Sequence, residues 1–317
     1  MNTARALTVL AVVVPLSLSA CSGSSTPKPA ATGATTTTTP PSPPASTCAN
    51  PTASFAPSST GLVPGVVAAG SYMAKIRARG HLVAGVSADT LLFGFRNPLS
   101  GQLEGFDIDM VRAVANEIFG DPNKISYKVL TYAQRIPALE SGAVDIVADV
   151  MTINCDRWKQ IDFSSEYFHA GQKVLVSTDS KATGINDLNG KKVCAATGST
   201  NIENLKNYPK VIAVPVDDIS DCMVLFQQDA VDAVTGDDTV LAGFVAQDPY
   251  AKIVGPEFTS EPYGLGIAKP HVDFVEYVNA IVEQMRVDGT WARMYRKWLH
   301  PTGAVPPPPQ PLYGRQP

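Results

Sequence analysis

The chain has 317 residues, a formal net charge of −4 and an isoelectric point near 5.6. It carries no basic stripe, so its charge gives no electrostatic argument for binding nucleic acid. Its length is sufficient for one large or two medium folded domains.

The first twenty residues have the layout of a secretory signal peptide. Arg5 precedes an apolar run, Ala6 to Leu18, which is shorter than the ~20 apolar residues of a spanning helix. The sequence Leu18-Ser19-Ala20-Cys21 resembles the bacterial lipobox, which implies that residues 1–20 are removed and that Cys21 is lipidated. We therefore expect a lipid anchor on the extracytoplasmic face of the cell membrane. The alternative is an ordinary signal peptide with an incidental cysteine.

Two segments have a composition that is typical of unfolded chain. Residues 21–47 are rich in Ser, Thr, Pro, Ala and Gly, which cannot bury enough apolar surface to fold, so we expect an extended, disordered tether. Residues 303–317 include four consecutive prolines from Pro306 and show no periodic pattern. We expect a disordered tail there.

Strands and helices alternate from His81 onward. Apolar runs predict strands at 82–86, 127–130 and 145–148, and a helical pattern follows Phe106. Pro137 lies in the opening of a further helix that ends near Gly142. This alternation indicates an α/β fold with a mostly parallel sheet.

A second set of elements repeats this order before the chain returns to two final helices. We therefore predict two lobes joined by two hinge crossings, with a ligand between them at the carboxyl ends of strands. Lobe 1 is expected to comprise residues 48–171 and 264–302, and lobe 2 residues 172–263. The predicted strands of the second set are 173–176, 189–195, 211–216 and 231–234, and the predicted helices are 202–207, 221–228, 273–288 and 290–299.

An even number of cysteines remains once Cys21 is set aside, as is typical of disulfide-bonded exported proteins. Four cysteines permit three pairings. Cys194 and Cys222 both fall within predicted lobe 2, so we pair them, which leaves Cys48 to pin the end of the tether to Cys155. Free buried thiols are plausible only if the protein is not exported.

The segment after the strand at 145–148 carries groups suited to holding a carboxylate. Thr152 is followed by Asn154, Asp156 and Arg157, which predict a turn that opens a helix. A guanidinium at a strand end can hold a carboxylate through two parallel hydrogen bonds, and Thr152 and backbone N–H groups can satisfy its remaining lone pairs. The alternative is a surface arginine on a first helical turn.

An ordered series of motifs runs along the chain. They are Gly105-Phe106-Asp107-Ile108-Asp109, Ile136-Pro137-Ala138-Leu139, Thr152 to Arg157 with Asp162-Phe163-Ser164, Gly184 to Lys191 with Thr197-Gly198-Ser199, and Asp232-Ala233-Val234. This series resembles the solute-binding proteins of polar amino acid ABC importers, a family that includes glutamine- and glutamate-binding lipoproteins. The resemblance covers about residues 72 to 300 and implies a two-lobed periplasmic-binding-protein fold of type II that closes over one amino acid.

The resemblance also implies roles for individual residues. Arg157 corresponds to the α-carboxylate clamp, helped by Thr152 and by backbone N–H groups around Ser199 and Thr200 at a helix start. Asp237 corresponds to the partner of the α-ammonium group, with its neighbour Asp238 as the rival. Tyr132 matches an aromatic position that covers the ligand.

Three positions depart from the family pattern. The first ligand loop lacks the usual proline, which leaves the register of Asp89 open, and Phe93 is either a pocket wall or core. Val150 stands where a Gly or Ser is expected. Asp149 takes a position predicted to face the cleft, where it would repel an acidic ligand unless Lys173, Arg96 or Arg135 neutralises it.

These observations predict a monomeric, lipid-anchored binding protein that captures an amino acid of the glutamate, glutamine and aspartate class for an ABC importer's membrane permease. The alternative is a sensor lipoprotein that signals to a membrane partner. An enzyme would need a general acid or base in the cleft, and only His169 is a candidate, so we expect no catalysis. No motif indicates a metal or a cofactor.

Overall fold

The computed structural model describes residues 48, 50–59, 61–299 and 304–316. The predicted signal peptide, Cys21 and the predicted tether lie outside the described residues. None of the helices in the described ranges has the length and apolar character needed to cross a membrane.

Eight α-helices fall within the described ranges. The helix predicted after Phe106 is confirmed, and its apolar residues Met110, Val111, Val114 and Ile118 are all buried. The helices are α1 Tyr72–Arg79, α2 Phe106–Phe119, α3 Arg135–Glu140, α4 Thr200–Asn204, α5 Ile219–Gln227, α6 Asp238–Val245, α7 Val272–Val287 and α8 Thr290–Leu299.

Fifteen strands accompany these helices in the same ranges. They are β1 Ala53–Ser54, β2 Leu82–Val86, β3 Asp89–Thr90, β4 Gly94–Arg96, β5 Leu103–Glu104, β6 Ile125–Val129, β7 Ile146–Ala148, β8 Ile161–Phe163, β9 Phe168–Ser177, β10 Lys192–Ala196, β11 Ile212–Val216, β12 Ala233–Asp237, β13 Ala251–Tyr263, β14 Gly266–Ala268 and β15 Leu312–Tyr313.

Two five-stranded sheets form the cores of two lobes. The sheet of lobe 1 has the order β6-β2-β7-β14-β8, in which β2 is parallel to both β6 and β7. The sheet of lobe 2 has the order β11-β10-β12-β9-β13, in which β10 is parallel to both β11 and β12. These parallel strands between helices give the two-lobed α/β architecture that the sequence predicts.

The chain passes between the sheets twice, from β8 into β9 and from β13 into β14. Strands β9 and β13 are antiparallel neighbours in lobe 2, and their pairing continues to Phe168 and Tyr263 at the junction. Both residues pack against Phe93, with ring centroids 5.1 and 5.8 Å away. An aromatic cluster therefore fills the space where the two crossings meet.

The predicted disulfide pairings are confirmed. Cys194 at the centre of β10 is bonded to Cys222 of α5, which ties that helix to the sheet of lobe 2. Cys48 is bonded to Cys155, which lies between β7 and β8 in the segment that also carries Thr152.

The prediction of a wholly disordered tail is wrong for its last residues. Strand β15 pairs in parallel with β1, and the guanidinium of Arg315 lies 3.6 Å from the ring centroid of Trp158. The apolar pair Leu312-Tyr313 is too short to give a periodic signal, and its pairing partner is more than two hundred residues away in the sequence. Pairing of this kind depends on tertiary contacts that local patterns do not encode.

Candidate functional site

A small cavity lies between the two lobes. Its lining includes five residues that the sequence interpretation did not assign to the site, namely Arg135, Asn201, Ile219, Gly236 and Val240. It also brings together seven of the residues that were predicted to bind a ligand, namely Tyr132, Val150, Thr152, Arg157, Ser199, Thr200 and Asp237.

Arg157 is held in place by the turn that follows β7. The turn is a short 3₁₀ helix, Arg157–Lys159, and the side chain of Asn154 accepts a hydrogen bond from the Arg157 backbone N–H at 2.9 Å. The guanidinium donates to the carbonyl of Thr152 at 2.7 Å and to the carbonyl of Gly198 at 3.1 Å. Burial, followed by the positive charge of Arg135, lowers the pKa of Arg157 to about 9. This buried cation forms no ion pair with any carboxylate in the described ranges.

Asp237 ends β12 and is almost completely buried, at 4% exposure. It accepts hydrogen bonds from the Tyr263 hydroxyl at 2.5 Å and from the Asn201 amide at 2.8 Å. Burial is the main cause that raises the pKa of Asp237, and the charge of Glu261 raises it further. The rival Asp238 does not line the cavity and instead accepts from the backbone N–H of Thr239.

Ser199 begins helix α4 as its N-cap. Its hydroxyl accepts from the backbone N–H of Ile202 at 3.1 Å and donates to the carbonyl of Ala196 at 2.6 Å. The Ser199 N–H also donates to Ala196, at 3.2 Å. Part of the backbone hydrogen bonding that was predicted to be available to a carboxylate is therefore already used within lobe 2.

Tyr132 and Arg135 form one unit on the lobe 1 side. A capping box between Thr131 and Gln134 fixes the turn that carries Tyr132, and the Arg135 guanidinium lies 4.3 Å from its ring centroid. Arg135 is 2% exposed and donates to the carbonyls of Tyr132, Asp149 and Gly198 at 3.0, 2.7 and 3.2 Å. The sequence interpretation considered Arg135 only as a neutraliser of Asp149. The sequence signal that could have placed Arg135 in the site is its position directly before the apolar run at the start of a helix.

Of the two alternatives that the sequence leaves open for Phe93, the structure favours the core position over the pocket wall. Phe93 is completely buried and packs in the aromatic cluster rather than in the cavity wall. The neighbouring Leu92 has a positive φ of 78°, so the loop reverses at that point, and no sequence pattern indicates such a turn at a leucine. In the same loop, Asp89 accepts from the backbone N–H of Ser220 in lobe 2 at 3.2 Å.

Asp149 lies beside the cavity and not in its lining, which corrects its predicted cleft-facing position. Neither carboxylate oxygen has a hydrogen-bond partner among the described residues. Burial raises the pKa of Asp149 well above its usual value, although the charge of Arg135 opposes the shift. The raised pKa favours the neutral carboxyl group, which repels an acidic ligand less than a carboxylate does.

Glu261 is the functional candidate that sequence reasoning missed. It lies on β13 two residues before the junction, is 1% exposed, and accepts from the hydroxyls of Thr152 and Thr200 at 2.7 and 2.6 Å. These hydroxyls belong to opposite lobes. An acidic residue in a strand next to Pro262 gives no local sign of such burial.

The two lobes meet across the cavity through polar contacts. The Gly198 carbonyl of lobe 2 accepts from both Arg135 and Arg157 of lobe 1. The hydroxyl oxygens of Thr152 and Thr200 are 3.3 Å apart. The structure is therefore a closed arrangement of the lobes.

The chemistry of the cavity is that of binding a small zwitterion. A buried guanidinium and a buried carboxylate face one space from different lobes. His169 does not line it and pairs with Glu166, which raises the pKa of the imidazole. No group of metal-binding side chains occurs in the described ranges.

Comparison with known proteins places this geometry in a family. Residues 82–301 match the family described as bacterial extracellular solute-binding proteins, family 3. The ABC transporter glutamine-binding protein GlnH of Bacillus subtilis (strain 168) is 36% identical over 229 residues, which are 72% of this chain and 84% of the relative.

A second relative and one solved structure are also named as amino acid-binding proteins. The glutamine-binding protein of Geobacillus stearothermophilus is 41% identical over 197 residues, 62% of this chain and 75% of the relative. The solved structure of an ancestral arginine-binding protein bound to glutamine is 38% identical, with a TM-score of 0.66, over 70% of this chain and 98% of that chain.

Proposed function

Because the chain belongs to the bacterial extracellular solute-binding proteins of family 3, we propose that it binds an amino acid of the glutamate, glutamine and aspartate class outside the cytoplasm and delivers it to an ABC importer. The names of the relatives favour delivery to a transporter over signalling, since GlnH is named as an ABC transporter protein. The lipobox-like sequence before Cys21 supports a lipid anchor.

The observation that carries this proposal is the pair of buried opposite charges, Arg157 and Asp237. Neither forms an ion pair within the described part of the chain, although burying an unpaired charge is costly. An α-amino acid supplies both missing partners, with its carboxylate for Arg157 and its ammonium group for Asp237. Thr152 and Thr200 lie beside them, and Tyr132 covers the lobe 1 side.

Isothermal titration tests the proposal. The purified, non-lipidated protein is titrated with glutamate, glutamine, aspartate, asparagine, arginine and lysine, and we expect micromolar affinity for the acidic or amide group. In Arg157→Ala the ligand carboxylate is left buried and unpaired, which costs about 2–5 kcal/mol and weakens binding by about 30-fold or more.

Arg96→Ala is the matched control, since Arg96 is an exposed arginine of the same lobe that donates to the Gly101 carbonyl. It is expected to bind like the unmodified protein. The absence of heat with all six amino acids would refute the proposal and leave other small carboxylates to be tested.

A further inference from the structure

The hydrogen-bond partners of Glu261 are neutral donors. Its Oε2 accepts from Thr152 and Thr200, and its Oε1 accepts from Thr259 at 2.6 Å and from Asn204 at 3.3 Å. A carboxylate has about four lone-pair positions. Because four donors already fill them, Glu261 has no remaining position with which to hold a ligand directly.

The contacts of Glu261 fix the direction of two hydroxyl protons in the cavity wall. A threonine hydroxyl has one proton, and those of Thr152 and Thr200 both point at the same oxygen of Glu261. Both threonines line the cavity, one from each lobe. They can therefore offer only lone pairs to a ligand.

This corner of the cavity consequently consists of acceptors. Asn201 follows Thr200 and binds Asp237, which places the carboxylate of Asp237 on the same side. A ligand carboxylate would meet lone pairs here, whereas an ammonium group has three donors and a positive charge to offer. The ligand carboxylate is left to the guanidinium of Arg157.

We infer that Glu261 is a positioning residue that makes the site select an ammonium group by orienting the hydroxyls of Thr152 and Thr200. This rests on the proposed function and deepens it. It also changes the role of Thr152 from a donor to the ligand carboxylate, as expected from the sequence, to an acceptor from the ligand amine.

The test compares L-glutamate and L-glutamine with the analogues in which a hydroxyl replaces the α-ammonium group. Dissociation constants are measured by titration for the unmodified protein, Glu261→Gln and Glu261→Leu. Glutamine at 261 keeps an acceptor without the charge, whereas leucine frees both threonine protons. The matched control is Glu257→Gln, an exposed glutamate on the same strand.

We expect the unmodified protein to prefer the amino acid by about 100-fold or more, because charge-assisted hydrogen bonds are lost in the analogue. The preference should fall in Glu261→Gln and fall by at least about tenfold in Glu261→Leu, while Glu257→Gln keeps it. If Glu261→Leu does not fold, the preference measured for Glu261→Gln alone decides the test.

Equal weakening of both ligands, with the preference unchanged, would show that Glu261 is merely structural and would overturn the inference. An unmodified protein that binds neither amino acid would instead overturn the proposed function itself. The two failures are therefore distinguishable.

Discussion

The buried carboxylate of Asp237 shows how a single residue links binding to protonation. Its two neutral donors, Tyr263 and Asn201, do not compensate for its removal from water, and its pKa is raised. A ligand ammonium group supplies the charge that the protein itself does not place there. Ligand and proton therefore compete for the same carboxylate.

Amino acid affinity is accordingly expected to fall as the pH falls. A raised pKa means that Asp237 takes up a proton at a higher pH than an ordinary carboxyl, and this proton must leave before the ammonium group binds. Affinity should drop by up to about tenfold per pH unit below that pKa and level off above it. Titration between about pH 5 and pH 8 measures this dependence.

Two variants separate Asp237 from Asp107, another buried carboxyl group of the region. Asp107, which accepts from Tyr167 and Val150, has a pKa raised to about 6 by burial, so it titrates in a similar range. Asp107→Asn should keep the pH dependence, whereas Asp237→Asn should bind weakly and without it. A dependence that survives in Asp237→Asn would contradict the assignment.

The residues that sequence could place in the site are those whose position follows from a strand end or a helix start. Arg157 follows β7, Asp237 ends β12 and Ser199 caps α4, so local pattern and family resemblance suffice for them. Glu261 could not be found in this way, because its role depends on hydroxyls from two lobes. The position of Phe93 stayed open between pocket wall and core because the reversal at Leu92 has no composition signal.

At the scale of elements, the two ends of the described chain stabilise each other on lobe 1. The carbonyl of Ser54 in β1 accepts from the backbone N–H of Arg315, and the carbonyl of Ala53 accepts from its Nε, both at 3.1 Å. The Arg315 side chain covers the ring of Trp158, whose indole N–H donates to Pro51 at 2.7 Å. The tail is thus part of the folded lobe.

Replacement of Arg315 by alanine should lower the free energy of unfolding by about 1 kcal/mol through the lost cation–π contact and change the emission of Trp158. Denaturant titration followed by tryptophan fluorescence measures both effects. Arg296→Ala, an exposed arginine of α8, is the control and should change neither. Equal behaviour of the two variants would mean that the Arg315 side chain contributes no stability.

Element boundaries were predictable where the periodic pattern was long. Helix α8 was predicted at its observed bounds, 290–299. Strand β10 was predicted to include Asn189 but begins at Lys192, because Gly190 takes a positive φ of 74° and turns the chain first. Helix α6 was missed since its short apolar run, Val240 to Val245, follows directly on β12.

At the scale of the whole molecule, the two crossings allow the lobes to approach each other as units. The contacts that join them across the cavity are polar, and those of Arg135 and Arg157 converge on Gly198. Contacts of this kind are compatible with hinge closure that is driven by a ligand bound to both sides. The absence of a side chain at Gly198 therefore decides whether the lobes can close.

Gly198→Ala is expected to block closure. Gly198 has a φ of +78°, and a Cβ there would lie 2.6 Å from the Cα of Ala133 and 2.7 Å from its backbone nitrogen, both in lobe 1. A backbone cannot give way as a flexible side chain does. We expect affinity for the amino acid to fall by about 100-fold and the ligand-induced decrease in radius of gyration, measured by small-angle X-ray scattering, to disappear.

The control for Gly198→Ala is Gly190→Ala, which carries the same backbone strain without the clash. Gly190 has a φ of +74°, and nothing lies within 4 Å of the position that its Cβ would take. Both variants should lose similar stability from an alanine at positive φ, but only Gly198→Ala should lose compaction and affinity. If Gly198→Ala binds and contracts as Gly190→Ala does, the ligand does not require the closed arrangement. In that case the contacts that Arg135 and Arg157 make to lobe 2 are not part of binding.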